Sequence, residues 1–155
     1  MENAKGYHGN LRVFLDNMMR QFNSQFVKSE DTFVHLYEVI INTIEVLKRV
    51  FGNYSLIGRR INNGEFEPRF NRVLLEVQVY YFCHIPTICL KDENNQVFMD
   101  LFIQLCDQDQ LFRASVERST KSMENYKVRY SKFQEIVNNA YNCDLNINPF
   151  ADANI

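Results

Sequence analysis

The 155-residue chain has no tryptophan, only five glycines and three prolines, and four cysteines of which none forms a CxxC pair. Each scarcity excludes something. With five glycines and no GxGxxG or GxxxxGK, there is no Gly-rich turn feeding a helix to cradle phosphate. Without CxxC or HExxH pairs, no ligand set stands at the spacing a zinc site needs. His8, His35 and His84 stand apart, and His84, beside Cys83 and Cys89, lies in the most apolar stretch and lacks a fourth ligand. Cys83, Cys89, Cys106 and Cys143 read as buried free thiols of a reducing cytosol. The longest apolar stretch is too short and too polar for the roughly twenty residues that span a bilayer. The N-terminus, MENAKGYHGNLRVFL, has neither the charged-then-apolar pattern nor the cleavage site of a secretory leader. The expected setting is therefore cytoplasmic, with no membrane partner. A formal net charge of −2 gives no global basic field to attract nucleic acid.

Thirteen Phe and eight Tyr make the expected core aromatic. A chain of this length buries about two thirds of its unfolded surface, so it needs neither metal nor disulfide to fold. Repeats and low-complexity tracts are absent, and one helical domain over residues 10–143 is expected between a frayed 1–9 and an irregular tail at 144–155.

The chain is organised around Arg69 to Pro86, RFNRVLLEVQVYYFCHIP, which is apolar nearly all round from Phe70 to Ile85 apart from Asn71, Arg72, Glu76, Gln78 and His84. Such a segment belongs in a core. Val77 to Phe82 would suit a strand, but about sixteen residues without Gly or Pro, closed by Pro86, favour a central buried helix.

Before it, Leu11, Phe14, Leu15, Met18, Met19 and Phe22 mark an amphipathic helix over Asn10–Asn23, followed by a polar joint, Ser24 to Lys28, with Phe26 and Val27 turned inward. Ser29 then opens a long helix with Glu30 and Asp31 in its first turn, Lys48 and Arg49 in its last, and Gly52 beyond. Its stripe of Phe33, Leu36, Tyr37, Ile40, Ile41, Ile44, Leu47 and Phe51 is expected to pack in the core. The stretch Asn53 to Pro68 reads as a loop, marked by Gly58, Asn62-Asn63-Gly64 and Pro68.

After Pro86 a short apolar connector leads to a helix capped near Asp92 and carrying Val97, Phe98, Leu101, Phe102 and Leu105. A short helix over Asp109–Arg118 comes next and is expected to bury Leu111, Phe112, Ser115 and Val116. Beyond the polar turn Ser119 to Ser122, a long helix carries Tyr126, Tyr130, Phe133, Val137 and Tyr141 on one face. In the tail Phe150 is the expected anchor. The fold class is an all-α, single-domain bundle of about five to six helices around a buried central helix.

No nucleophile elbow or papain-like context surrounds the Ser, His and Asp residues. Glu65 and Glu67 have nothing to raise a pKa for acid–base work. The sequence thus assigns no catalytic, cofactor-binding or metal residue. Arg59, Arg60, Arg69 and Arg72 gather near one loop, with Lys121, Lys127, Arg129 and Lys132 as a second cluster. They are available for phosphate, or else solvated or paired with carboxylates.

Taken together, NLRVFLDNMMRQFN, DTFVHLYEVIINTIEVLKRVFG, the basic loop into RFNRVLLEVQVYYF, QVFMDLFIQL and DQLFRASVERSTKSMENYKVRYSKFQEIV resemble a known family. They are similar to the helical second half of the N-terminal domain of GmrSD-type restriction endonucleases, the ParB-nuclease-like bacterial defence family. The resemblance covers about Leu11 to Asn142. Its most specific parts are Phe70-Asn71-Arg72-Val73-Leu74-Leu75-Glu76 and the closing pattern Asp109-x-x-Leu-Phe, Ser119-Thr120, Val128-x-Tyr-x-x-Phe133.

In that family the ParB-like chemistry belongs to a preceding α/β half with a D-G-Q-Q-R type motif, and DNA cleavage to an HNH domain. Neither motif is present here. His84-Ile85-Pro86 is similar to part of the HNH family's H-I-x-P run but lacks its spacing residue and companions, so no catalytic residue carries over. The resemblance implies a non-catalytic module that docks on a protein partner bearing the ParB-like or HNH nuclease half. Its partner surface is expected to be apolar with a charged rim, in the Arg59–Arg72 region or on the Tyr126–Tyr141 face. The alternative is a nucleic-acid-binding domain using Arg59, Arg60, Arg69 and Arg72 with Lys127, Arg129 and Lys132, possible DNA contacts that salt would weaken steeply.

Overall fold

The structure, a computed structural model, describes residues 11–26, 29–118 and 122–147. Among these it contains six α-helices and one β-hairpin: α1 Leu11–Phe26, α2 Glu30–Phe51, β1 Arg59–Asn62, β2 Glu65–Phe70, α3 Arg72–Phe82, α4 Glu93–Gln108, α5 Gln110–Glu117 and α6 Met123–Tyr141. Single 3-10 turns, Tyr54–Leu56 and Thr87–Cys89, flank α3 on either side. The fold is mainly helical but not all-α.

The hairpin occupies the stretch expected to be a loop. Its turn residues, Asn63 and Gly64, both have positive φ, 53° and 77°. That is the type I′ geometry whose twist suits a two-residue hairpin, and Asn-Gly is its favoured sequence. The tip is fastened to the end of α4, where the Asp107 carboxylate accepts the N–H groups of Asn63 and Gly64 at 2.9 and 3.1 Å.

Pairing is antiparallel, Asn62 with Glu65, Ile61 with Phe66 and Arg59 with Phe70, so Glu67, Pro68 and Arg69 together oppose Arg60 in a bulge. Pro68 has no N–H for the ladder, and a bulge is where a strand tolerates that. The Arg59 guanidinium fills the gap, donating from Nη1 to the carbonyls of Glu67 and Pro68.

Because β2 runs through Phe70, the central helix is shorter than the sixteen residues expected. It begins at Arg72, with Asn71 as N-cap accepting the Leu74 N–H at 3.1 Å, and ends at Phe82. It is nonetheless the centre of the core. Leu74, Val77 and Tyr81 are fully buried in the core that α3 forms with α2 and α6.

Phe98 of α4 sits among the rings of Phe51, Phe82, Phe102, Phe133 and Tyr141, with centroids 5.1–6.1 Å apart. Tyr130, Phe133, Val137 and Tyr141 of α6 are buried as the spacing predicts. This face of α6 is core rather than a partner surface, because α3, α4 and α5 cover it. Local signals for the ends of α5 and α6 hold as well: Asp109 and Ser122 accept the N–H groups of Phe112 and Asn125.

The start of the chain departs from expectation. Helix α1 continues to Phe26, so Ser24 to Phe26 form its last turn rather than a joint, and Phe26 is exposed. Val27 and Lys28 lie outside the described residues, as do residues 1–10, the Ser119 to Lys121 turn and Phe150.

Helix α2 has the expected limits and a left-handed Gly52 at its end, yet only Thr43, Leu47, Val50 and Phe51 are buried. Leu36, Tyr37, Ile40 and Ile41, expected in the core, are exposed, as are Val97 of α4 and Leu111 of α5. At 1.5 Å per residue the 22-residue helix is about 33 Å long and outruns the elements that could cover it. The tail is docked by buried Leu145, and the Ile147 carbonyl accepts from the Tyr80 hydroxyl.

Candidate functional site

Where β2 passes into α3, the chain lines a cleft of about 1070 Å³ whose far wall is the end of α5. Asn71 builds the junction. Its backbone N–H donates to Gly58 at 2.7 Å, its side-chain oxygen caps α3, and its Nδ2 donates to the Val116 carbonyl of α5 at 2.9 Å. Gly58 has φ +72°, and a Cβ there would lie 2.6 Å from the Phe70 ring, so only glycine lets the two approach.

Asn71→Ala is expected to cost about 2 kcal/mol, roughly 1 for the lost cap and roughly 1 for the orphaned Val116 carbonyl. Asn71→Asp keeps the cap and loses only the second part. Urea unfolding of the two variants separates the contributions.

Arg60 forms the floor. Its side chain is only 9% exposed, and it donates from Nε to Glu67 Oε2 at 3.1 Å while its Nη2 and Nη1 reach Glu67 and Glu117. The Glu67 hydrogen bond raises the Arg60 pKa, and reciprocally the Arg60 hydrogen bond holds the Glu67 carboxyl below its ordinary value. A carboxylate held down in this way does not serve as a general acid near neutrality.

Above the floor the cleft mixes apolar and cationic groups. Phe70 is 53% exposed, and Pro68, Val73 and Val116 lie beside it. Arg69, Arg72 and Arg118 stand at the surface around them, and among the described residues no carboxylate forms an ion pair with any of the three.

The basic residues singled out in sequence are thus dispersed. Arg59 is committed to the hairpin and Arg60 to two carboxylates. Arg129 is fully buried, donating to the Ser115 carbonyl at 3.1 Å, with its guanidinium 3.8 Å from the centre of the Tyr126 ring. Burial lowers its pKa. Lys132 pairs with Asp109 at 3.0 Å, and Lys127 is half-buried on α6. Lys121 lies outside the described residues. Only Arg69 and Arg72 come together at an open site, joined there by Arg118, which sequence reasoning passed over. Its position four residues after Ala114, whose carbonyl accepts its N–H at the end of α5, is the local signal that puts it on the cleft rim.

No family model, no curated protein and no solved structure matches this chain. The geometry of the described residues therefore has to carry the functional reading. His84 Nδ1 lies 2.7 Å from the Tyr80 carbonyl, which can only accept, so this nitrogen carries the proton and the ring is satisfied locally. All four cysteines are free, and burial pushes the Cys106 thiol up to about 12, far from a reactive thiolate. Among the described residues no three His, Cys, Asp or Glu side chains converge as a metal cluster, and no helix is long and apolar enough to cross a membrane.

Proposed function

We propose that this chain is a non-catalytic, cytoplasmic interaction module that docks through the Phe70 cleft on a protein partner. The observation that carries the reading is the cleft itself. Above the Arg60 floor, an exposed aromatic ring with Pro68, Val73 and Val116 beside it is rimmed by three guanidinium groups with no carboxylate partner among the described residues. Aromatic and arginine side chains around a desolvated centre are the usual anchors of protein interfaces. The rim charge selects an acidic segment of the partner.

The resemblance to the helical half of GmrSD-type restriction endonucleases suggests which partner. It is a polypeptide carrying the ParB-like nuclease and NTPase half, or an HNH half, in a bacterial anti-phage, modification-dependent restriction system. Several residues that carry the resemblance hold this fold together: Asn71 caps α3, Asp109 caps α5, and Tyr130 and Phe133 are core.

The nucleic-acid reading keeps a smaller footing. Of seven basic residues proposed for it, Arg59, Arg60, Arg129 and Lys132 are engaged within the fold and Lys127 is half-buried on α6, which leaves Arg69 and Arg72 with the added Arg118.

The test is affinity capture on the full chain from a bacterial lysate, with and without nuclease treatment. The expected product is one protein bearing a ParB-like or HNH half, retained after nuclease and lost with Phe70→Asp or Arg72→Glu. Recovery of nucleic acid that washes off as salt rises would transfer the cleft to the nucleic-acid reading.

A further inference from the structure

Helices α1 and α2 carry apolar stripes that do not cover each other. Near their turn Phe22 and Phe26 pack on Phe33, with ring centroids 5.8 and 5.2 Å apart. Away from the turn, Leu15 and Met19 on α1 and Leu36, Tyr37, Ile40 and Ile41 on α2 remain exposed, Met19 at 60% and Tyr37 at 65%. With Phe26 these side chains leave roughly 600 Å² of apolar surface open, the upper end of what a monomer ordinarily leaves in its largest patch.

The spacing within α2 says what would cover it. Phe33, Leu36, Ile40, Thr43, Leu47 and Val50 alternate by three and four, the repeat of a helix-on-helix seam. The C-terminal half of this seam is buried in the body, whereas in the N-terminal half Leu36 and Ile40, beyond the Phe33 contact with α1, are exposed. Helix α1 carries the same repeat through Phe14 or Leu15, Met18 and Phe22.

We propose that the chain pairs with a second copy of itself. Each copy's α1 lies on the other's α2 around a two-fold axis, closing a four-helix arrangement. Area, charge and symmetry favour this occupant. The exposed patch approaches the ~800 Å² that each partner contributes to a stable interface, and the polar rim supplies the remainder. Arg12 and Arg20 against Asp16 leave α1 with one net positive charge, whereas Glu30, Asp31 and Glu38 give the first three turns of α2 three negative charges. A positive helix facing a negative one is self-complementary under two-fold exchange, as an isologous interface requires. This face is separate from the Phe70 cleft, and the two assignments stand or fall independently.

The test is the mass of the full chain by sedimentation velocity across a hundredfold range of concentration. Wild type is expected as a dimer of 18.4 kDa chains. The double variant Tyr37→Glu, Ile40→Glu, and separately Leu15→Glu, Met19→Glu, are expected as monomers. Their unchanged circular dichroism and thermal midpoint would follow from the exposure of these positions within one chain. Reversing α1 with Arg12→Glu and Arg20→Glu is expected to weaken pairing at least tenfold at low salt, and adding Asp31→Arg and Glu38→Arg to restore it. A wild-type monomer at every concentration overturns the proposal, and so does a dimer that survives both apolar double variants. A monomer that floats with vesicles containing an anionic phospholipid would assign the face to a lipid surface and likewise overturn it.

Discussion

Phe98→Ala is expected to lose about 4 kcal/mol of stability, the largest effect of any single truncation in the described core. The ring is fully buried and is the one through which α2, α3, α4 and α6 meet. Its removal deletes the transfer free energy of the side chain, opens a cavity that four helices cannot close together, and breaks edge-to-face contacts worth about 0.5–1.5 kcal/mol each. Set against a total of roughly 5–15 kcal/mol for a domain, the loss lowers the thermal midpoint by about 8–16 °C. Phe98→Leu keeps most of the volume and should lose less than half as much. Phe70→Ala provides the contrast. Because Phe70 is half exposed, its truncation should leave the midpoint nearly unchanged while abolishing capture of the docking partner. A Phe98→Ala protein as stable as wild type would mean that the helices do not pack through this ring.

Arg60→Ala is the second large effect, expected at about 2 kcal/mol at pH 7. Breaking a fully buried pair costs about 3–5 kcal/mol, but Glu67 and Glu117 retain 29% and 35% exposure, and water screens part of the exposed charge. The variant leaves two carboxylates on the cleft floor without their shared cation. The pH dependence has a definite sign. The Glu67 carboxyl is held below its ordinary 4.5, chiefly by the Arg60 hydrogen bond, so the unfolded chain binds the proton more readily than the folded one. The pair therefore stabilises fully above the ordinary carboxylate range and is lost as the pH falls below about 4.5 through the depressed value. Urea unfolding at pH 7 and pH 3 should show wild type and Arg60→Ala farther apart at the first than at the second. Asp109 adds to the acid limb of both. Burial opposes its ionisation, but the Phe112 N–H and Lys132 outweigh that and lower its pKa. An equal gap at both pH values would show that Arg60 acts by packing alone.

Particular residues show where the sequence was legible. The polar interruptions of the central segment prove to be its connections. Asn71 caps α3, Gln78 accepts the Gly58 N–H at 2.8 Å, Glu76 lies 3.3 Å from the Tyr130 hydroxyl, and His84 reaches the Tyr80 carbonyl. Burial raises the Glu76 pKa, outweighing the Arg129 charge and the Tyr130 hydrogen bond, which lower it. The hairpin was legible only at its turn, and the stretch as a whole reads as a loop. Asn63-Gly64 is a strong local turn signal, but RRIN and EFEPRF alternate too weakly in polarity to mark strands, and Pro68 argued against one. What secures them is non-local: the Asp107 carboxylate at the tip, and Arg60 joined to Glu117 across 57 residues.

The sequence by itself determined where the helices lie, the limits of α2 and the aromatic face of α6, because capping and periodicity are set by neighbours within a few residues. Only the tertiary structure decided which arginines are free and which half of the α2 stripe is covered. An amphipathic stripe specifies that a helix has an apolar side and leaves open what meets it, so Ile40 and Leu47, on the same stripe, ended outside and inside the core. A guanidinium likewise carries the same charge everywhere. Its role is fixed by carboxylates that folding brings from distant segments, which buried Arg60 with Glu67 and Glu117 and left Arg69 and Arg72 at the rim of the cleft.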